Sequence, residues 1–506
     1  MKRASGVLLP IFSLPNSFGI GSFGQSAYQF VDFLVEAKQS YWQILPLTTT
    51  SYGDSPYQSF SAFAGNSHFI DLELLTQEGL LSSQDYEELN FGSNPEAVDY
   101  GTVFKQRPAL LQKAVDRFLE AGNTHSYQTF IQVHADWLEP FAEYMAIKEK
   151  FELAPWYEWE ESIRLRKPEA LAYYRQELAD RLNYYRVTQF FFYQQWQTLK
   201  QYANDKGIEI IGDLPIYVAR DSVEMWTSPH LFKVNEVNEP LTVAGCPPDD
   251  LGPLGQYWGN PIYDWQQMKE DGYQWWFWRL RESFHLYDIV RFDHFRGFES
   301  YWEIPYGSPD ASFGKWVQGP GIAFFEAIQE ELGDIAIIAE DLGFITEEVV
   351  EMRQASGYPG MRVLQFGFSG KGDNPDLPHN YEQNAVAYVG THDNMTALGW
   401  YTESSTQEER DYLDLYVNRR PGETIPDCLN RTIAASVADT AIYTMQDLLN
   451  LGNEAQMNRP GILGGNWQWR MSDQALRPDI VEKLRQWTEV YHRAPESNLS
   501  DEDSSF

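Results

Sequence analysis

Four carboxylates stand at the ends of short apolar runs, and this placement limits the fold more than any other feature of the chain. Asp213 closes Ile210-Ile211-Gly212, and Asp293 closes Ile289-Val290-Arg291-Phe292. Glu340 closes the run from Ile335 to Ala339, and Asp393 ends the run that begins at Val386. Short β-branched or aromatic runs alternate with amphipathic stretches along the chain, the pattern of βα units around a parallel sheet. Candidate strands run from Gly6 to Ser13, Tyr41 to Leu47, Ile208 to Leu214, Asp288 to Asp293, Ile335 to Asp341, Arg362 to Phe368, Val386 to Asp393 and Thr440 to Met445. In a barrel all strand C-termini open on one face, so carboxylates far apart in sequence converge there. The expected class is α/β, a (β/α)8 TIM barrel spanning residues 1–506.

Two excursions interrupt the alternation. Residues 70–205 are rich in Glu, Gln, Ala, Leu, Tyr and Trp, with helical spacing over Phe130 to Leu153 and Leu171 to Tyr202, so a largely helical insertion is predicted between the second and third strands. Residues 234–267 carry Pro247, Pro248, Gly252, Pro253, Gly255, Gly259 and Pro261, a composition of turns, and read as a loop insertion near the site. Residues 496–506 form an acidic, Ser-rich tail.

Charge narrows the partners. The chain holds 38 Lys and Arg against 73 Asp and Glu, a formal charge of -35, which repels a phosphate backbone or an anionic membrane and leaves a neutral substrate as the better fit. No stretch is apolar for long enough to span a bilayer. The only cysteines, Cys246 and Cys428, are far apart, and with no signal-peptide pattern at the N-terminus a cytoplasmic location is expected. The 17 Trp, 30 Tyr and 30 Phe supply flat apolar faces that suit sugar rings, although a core absorbs most of them.

The carboxylates differ in setting. Strand alternation puts Arg291 and Asp293 on one face, where the guanidinium can keep the carboxylate ionised and aimed, as a nucleophile requires. Glu340 follows an almost wholly apolar strand, a setting that can raise its pKa and suit it to proton donation. In Gly390-Thr391-His392-Asp393-Asn394, His392 can hydrogen-bond a sugar hydroxyl and Asp393 can grip vicinal hydroxyls as a ring distorts.

Taken together these stretches resemble the amylomaltases, or 4-α-glucanotransferases, of the α-amylase superfamily. Gly212 to Tyr217, Arg291 to Phe298, Ala339 to Gly343 and Thr391 to Asn394 are similar to the short signature regions of that superfamily. Tyr52 to Ser59, Trp258 to Pro261, Leu377 to Tyr381 and Met457 to Gly461 resemble motifs of the amylomaltases themselves. The resemblance implies Asp293 as nucleophile, Glu340 as acid/base and Asp393 as transition-state stabiliser, in a barrel without a C-terminal β-sandwich. It implies retaining transfer of α-1,4-glucan segments from a donor malto-oligosaccharide or maltodextrin to the 4-OH of an acceptor such as glucose or maltose, with no cofactor or metal. Substrate contacts are implied for Tyr57, stacking on the donor glucose, for Ser55, Asp213, Arg291, His294 and His392, and for Trp258 and Asn260 on the acceptor side. Tyr52 and Tyr100 match positions that in some members form a second glucan groove. One departure stands out: after Pro247-Pro248-Asp249 this chain has Asp250 and Leu251 where members carry an aromatic pair.

Three rival readings meet the same residues. A metal-dependent hydrolase would use His294, His379 and His392, but Arg291 beside Asp293 opposes a cation and no His-x-His or Cys-pair spacing is present. A glucan hydrolase would use the same trio. A noncatalytic glucan scaffold is expected to have lost Asp293 or Glu340, and both are present.

Overall fold

The computed structural model describes residues 2–122, 124–248 and 252–495, apart from the side chain of Tyr52. The departure at Asp250 and Leu251, the tail 496–506 and the ring of Tyr52 lie outside the described residues. Its strands are β1 (Ala4–Leu8), β2 (Tyr41–Gln43), β3 (Glu209–Pro215), β4 (Thr242–Cys246), β5 (Gln256–Pro261), β6 (Ile289–Asp293), β7 (Ser300–Pro305), β8 (Lys315–Gln318), β9 (Ile337–Ala339), β10 (Gly360–Val363), β11 (Ala385–Tyr388) and β12 (Thr440–Thr444). Eight of them close a barrel in the order β1-β12-β11-β10-β9-β6-β3-β2, every neighbour parallel. Each candidate strand of the sequence reading thus contributes to the barrel.

Alternation sorts each strand into an inner and an outer row. Ala4, Leu8, Tyr41, Ile211, Ile289, Ile338, Met361, Val386, Tyr388 and Ile442 pack together inside the barrel. Their outward neighbours, among them Val290, Phe292 and Ala387, join the large core shared with the helices. Counting in twos from Ile211 and Ile289 brings Asp213, Arg291 and Asp293 to the inner row at the C-terminal mouth. Gly212 is the outward residue between Ile211 and Asp213, and a Cβ there would lie 2.1 Å from the Tyr287 ring, so the strand meets its covering residue only as glycine.

Boundaries differ from the sequence reading where backbone donors are diverted. β1 stops at Leu8, because Pro10 lacks an N–H, and Ile11–Ser13 forms a 3-10 turn. β10 begins at Gly360 and gives way to a 3-10 turn over Leu364–Phe366, its Met361 and Val363 N–H groups donating to Asp341 and Asp376. β11 ends at Tyr388, so residues 389–393 form a loop.

Between β2 and β3 the chain forms helices that include Tyr100–Glu120, Ala135–Lys150, Pro168–Glu177 and Ala179–Asp205. The last of these also covers the barrel, where Trp196 Nε1 donates to the Leu286 carbonyl at 3.0 Å and Lys200 pairs with Asp288 at 2.5 Å. Lys148 and Tyr144 both bond to Asp221, each at 2.5 Å, and tie this helical region to the loop after β3. Residues 234–267, read from their composition as turns, instead carry β4 and β5 in an antiparallel sheet ordered β5-β4-β7-β8. β4 pairs with β5 just after it, but its other neighbour, β7, arrives only after β6, which local composition does not reveal. The described residues after β12 add helices, among them Pro478–Val490, and no strand. Among the described residues no helix is long and apolar enough to cross a membrane.

The barrel seam between β1 and β12 is closed from outside by two arginines. Arg493 donates to the carbonyls of Ala4, Ala434, Asp439, Ser436 and Ala438. Arg3 donates to Ser436, Ala438 and Tyr491.

Candidate active site

At the C-terminal mouth of the barrel, register brings the charged groups together. Asp213 on β3 is paired in register with Arg291 on β6. Arg291 Nη1 bonds both oxygens of Asp213 at 2.8 Å and Asp293 Oδ1 at 3.0 Å. Asp213 and Arg291 are buried, whereas the Asp293 side chain keeps 27% of its surface open to the mouth. Burial raises the Asp293 pKa to about 6, with the Arg291 charge pulling the other way.

Glu340 follows β9. His294 adopts a left-handed backbone, φ 55°, which turns its N–H onto Glu340 Oε2 at 2.6 Å, and the Leu342 N–H meets Oε1 at 3.1 Å. Burial pushes Glu340 up to about 8; Arg291 pulls against this, and the charge of Asp293 adds to it. At neutral pH the pair therefore holds one proton, on Glu340, while Asp293 is ionised. Burial around its Nε2, together with the charge of Arg296, pushes the partly exposed His294 ring down to about 4, so it is neutral.

On the opposite rim, the Tyr57 hydroxyl donates to Asp213 Oδ2 at 2.8 Å and meets His392 Nε2 at 2.8 Å. The two rings stack at 5.3 Å and 12°. His392 Nε2 lies 3.4 Å from Asp393 Oδ2, and Asn458 donates to Asp393 Oδ1 at 2.7 Å. Burial alone would raise the Asp393 carboxyl, but His392 and the hydrogen bonds outweigh it and hold the group well below the usual carboxylate range. Trp258 on β5 stands edge-on to His294, with centroids 4.9 Å apart and planes at 85°. A cleft of this kind pairs one ionised and one protonated carboxyl with flat aromatic walls, the equipment for acid-assisted attack on a sugar acetal.

The profile of the family described as 4-alpha-glucanotransferase matches residues 9–476. The chain belongs to the 4-alpha-glucanotransferase family. It is 57% identical over 501 residues to the 4-alpha-glucanotransferase of Streptococcus pneumoniae, covering 99% of each chain. Over 484 residues it is 49% identical to that of Clostridium butyricum, covering 96% of this chain and 99% of the relative. The amylomaltase from Streptococcus agalactiae in complex with acarbose superposes with a TM-score of 0.96 at 50% identity, covering 98% of this chain and 100% of the other. As in its family, the machinery is a transferase on a (β/α)8 barrel.

Not every residue expected at the site reaches it. Asn260, expected on the acceptor side, is 5% exposed and uses both ends of its amide inside the protein, donating to the Val218 carbonyl and accepting from Gln58. These bonds hold β5 against the loop after β3 and the loop of Gln58. Ser55 Oγ accepts from the Tyr57 N–H at 3.2 Å and shapes the loop. Tyr100, expected in a second groove, is buried at the start of its helix and donates its hydroxyl to the Trp467 carbonyl at 2.7 Å, which leaves no ring face for a glucan. Two neighbours of the site escaped the sequence reading. Asn458 lies within the quoted Met457 to Gly461 motif without a role of its own, and Trp467 tilts beside Tyr57 and His392 at 5.7 and 6.1 Å.

Proposed function

We propose that the family's reaction runs here as a double displacement in which Asp293 Oδ2, the oxygen without the Arg291 bond, attacks the anomeric carbon of a bound glucan. Glu340 gives its proton to the glycosidic oxygen as that bond breaks, and the reducing-end fragment leaves with a free 4-OH. The 4-OH of an acceptor then attacks the glucosyl-Asp293 ester and returns a proton to Glu340, so the anomeric configuration is retained. Asp393 and His392 hold hydroxyls of the sugar at the reacting centre, and Tyr57 stacks on the donor ring. The reading is carried by the unequal pair: Arg291 bonded to Asp293 at 3.0 Å, with the proton left on Glu340.

Donors in this reading are malto-oligosaccharides and maltodextrin, and acceptors glucose or maltose. The acarbose bound by the S. agalactiae relative supports that substrate class. A cytoplasmic setting is supported by the cysteine usage, two in 506 residues and far apart in sequence, Cys246 and Cys428. Incubation of the pure protein with maltotriose alone tests the reading. Glucose together with longer oligomers is expected from the parent, and Asp293→Asn, isosteric but unable to attack, loses nearly all of both while keeping its thermal transition. Transfer at the parent rate by that variant places the nucleophile elsewhere.

A further inference from the structure

Asp393 sits beyond the end of β11, in a loop that the sheet does not hold, and its side chain is 42% exposed. Its own N–H makes only a 3.3 Å contact with Thr391 Oγ1. A carboxylate so placed is free to rotate unless something outside the loop fixes it. Asn458, 65 residues further on, reaches it twice: the side-chain amide donates to Asp393 Oδ1 at 2.7 Å, and the backbone N–H donates to the carbonyl of His392 at 3.1 Å.

Asn458 is itself held. Gln456 Nε2 donates to its carbonyl at 3.1 Å. The loop it begins is closed by Trp467 N–H to the Met457 carbonyl at 2.8 Å, by Arg459 N–H to Asn466 Oδ1 at 3.0 Å, and by Asn466 Nδ2 to the Ile462 carbonyl at 2.8 Å. A neutral amide suits the task. It takes one oxygen of Asp393 and stops rotation while leaving the full negative charge, where a cation would cancel the charge and a carboxylate would repel it.

We propose that Asn458 is a positioning residue that locks the Asp393 carboxylate in its working orientation, with Oδ1 tethered and Oδ2 turned to the substrate. The inference rests on the role given to Asp393 above. An orientation error of this kind falls on the transition state more than on ground-state binding, because the grip on the hydroxyls strengthens as the ring flattens. The tether also favours the charged form of Asp393.

Three variants, Asn458→Ala, Asn458→Asp and Asp393→Asn, are compared with the parent on maltotriose, each checked by circular dichroism and thermal unfolding. Asn458→Ala is expected to lose about 10- to 100-fold in kcat, the scale of a small misplacement of a reacting group, with KM within about threefold. Asn458→Asp fills the same volume, yet its charge faces Asp393, so at neutral pH it is expected to lose more than the alanine variant. A role in loop structure alone predicts the reverse order. The inference is overturned if kcat of Asn458→Ala stays within threefold of the parent, if KM alone changes, or if the aspartate variant is the milder. Parent-level turnover by Asp393→Asn sinks the underlying role of Asp393 instead, a result separate from the other three.

Discussion

Two backbone N–H groups point at Glu340, and both favour its ionised form. That its pKa still rises to about 8 shows burial, with the charge of Asp293, winning over those donors and over Arg291. In the proposed mechanism turnover requires Asp293 ionised and Glu340 protonated, so kcat/KM should follow a bell with apparent limbs near 6 and near 8 that belong to the pair as a whole. A single limb, or a plateau extending well above the upper value, contradicts the assignment. The same shift has a cost in stability. Because the folded value lies above the ordinary 4.5, the folded state binds the proton more tightly, and stability falls as pH rises from about 4.5 to about 8. Glu340→Gln cannot ionise. Its unfolding temperature relative to the parent should therefore climb across that window and level off above it, and differential scanning calorimetry at about pH 5 and about pH 9 reads the change. A difference that is the same at both pH values counts against the shift.

At the scale of elements, the proposed preference for transfer turns on β5. Water competes with the acceptor for any glucosyl intermediate, and an acceptor wins by being bound and oriented. Trp258, edge-on to His294, provides an apolar wall on that side of the cleft. Trp258→Ala is expected to raise the ratio of hydrolysis to transfer severalfold while slowing donor cleavage less, as read from glucose and reducing-end release on maltotriose. Equal falls in both rates would reduce Trp258 to a support of its strand. β5 also marks where the sequence was hard to read. Strands ending in Asp213, Asp293 and Glu340 were legible because an apolar run and its terminal carboxylate are contiguous. The β4–β5 hairpin was not, since Pro and Gly dominate its composition and its sheet is completed by β7 and β8 from beyond β6. Asn458 was hidden for a related reason: nothing in the spacing of an Asn-Arg-Pro stretch announces a bond to an aspartate 65 residues earlier. For Tyr100 the match in position was visible but its bond to the Trp467 carbonyl was not.

Across the whole molecule the barrel is a ring whose two ends are stapled. Arg493 is fully buried and supplies donors to carbonyls on both sides of the seam between β1 and β12. Arg493→Met should destabilise the fold by about 1–3 kcal/mol for each carbonyl left without a donor, seen as a lower urea midpoint. A chain ended after Pro495 should fold, and one ended after Tyr491 should not accumulate in soluble form; equal yields of the two would show that the staple is dispensable. The bond from Arg493 to the Ala4 carbonyl joins residues 489 positions apart. On a ribosome adding roughly 5–20 residues per second, the first strand waits on the order of half a minute or longer for the residue that seals it. Through that interval the nascent barrel has an open edge, and whatever shields β1 from other chains then bears on the yield of active enzyme as much as any residue at the catalytic mouth.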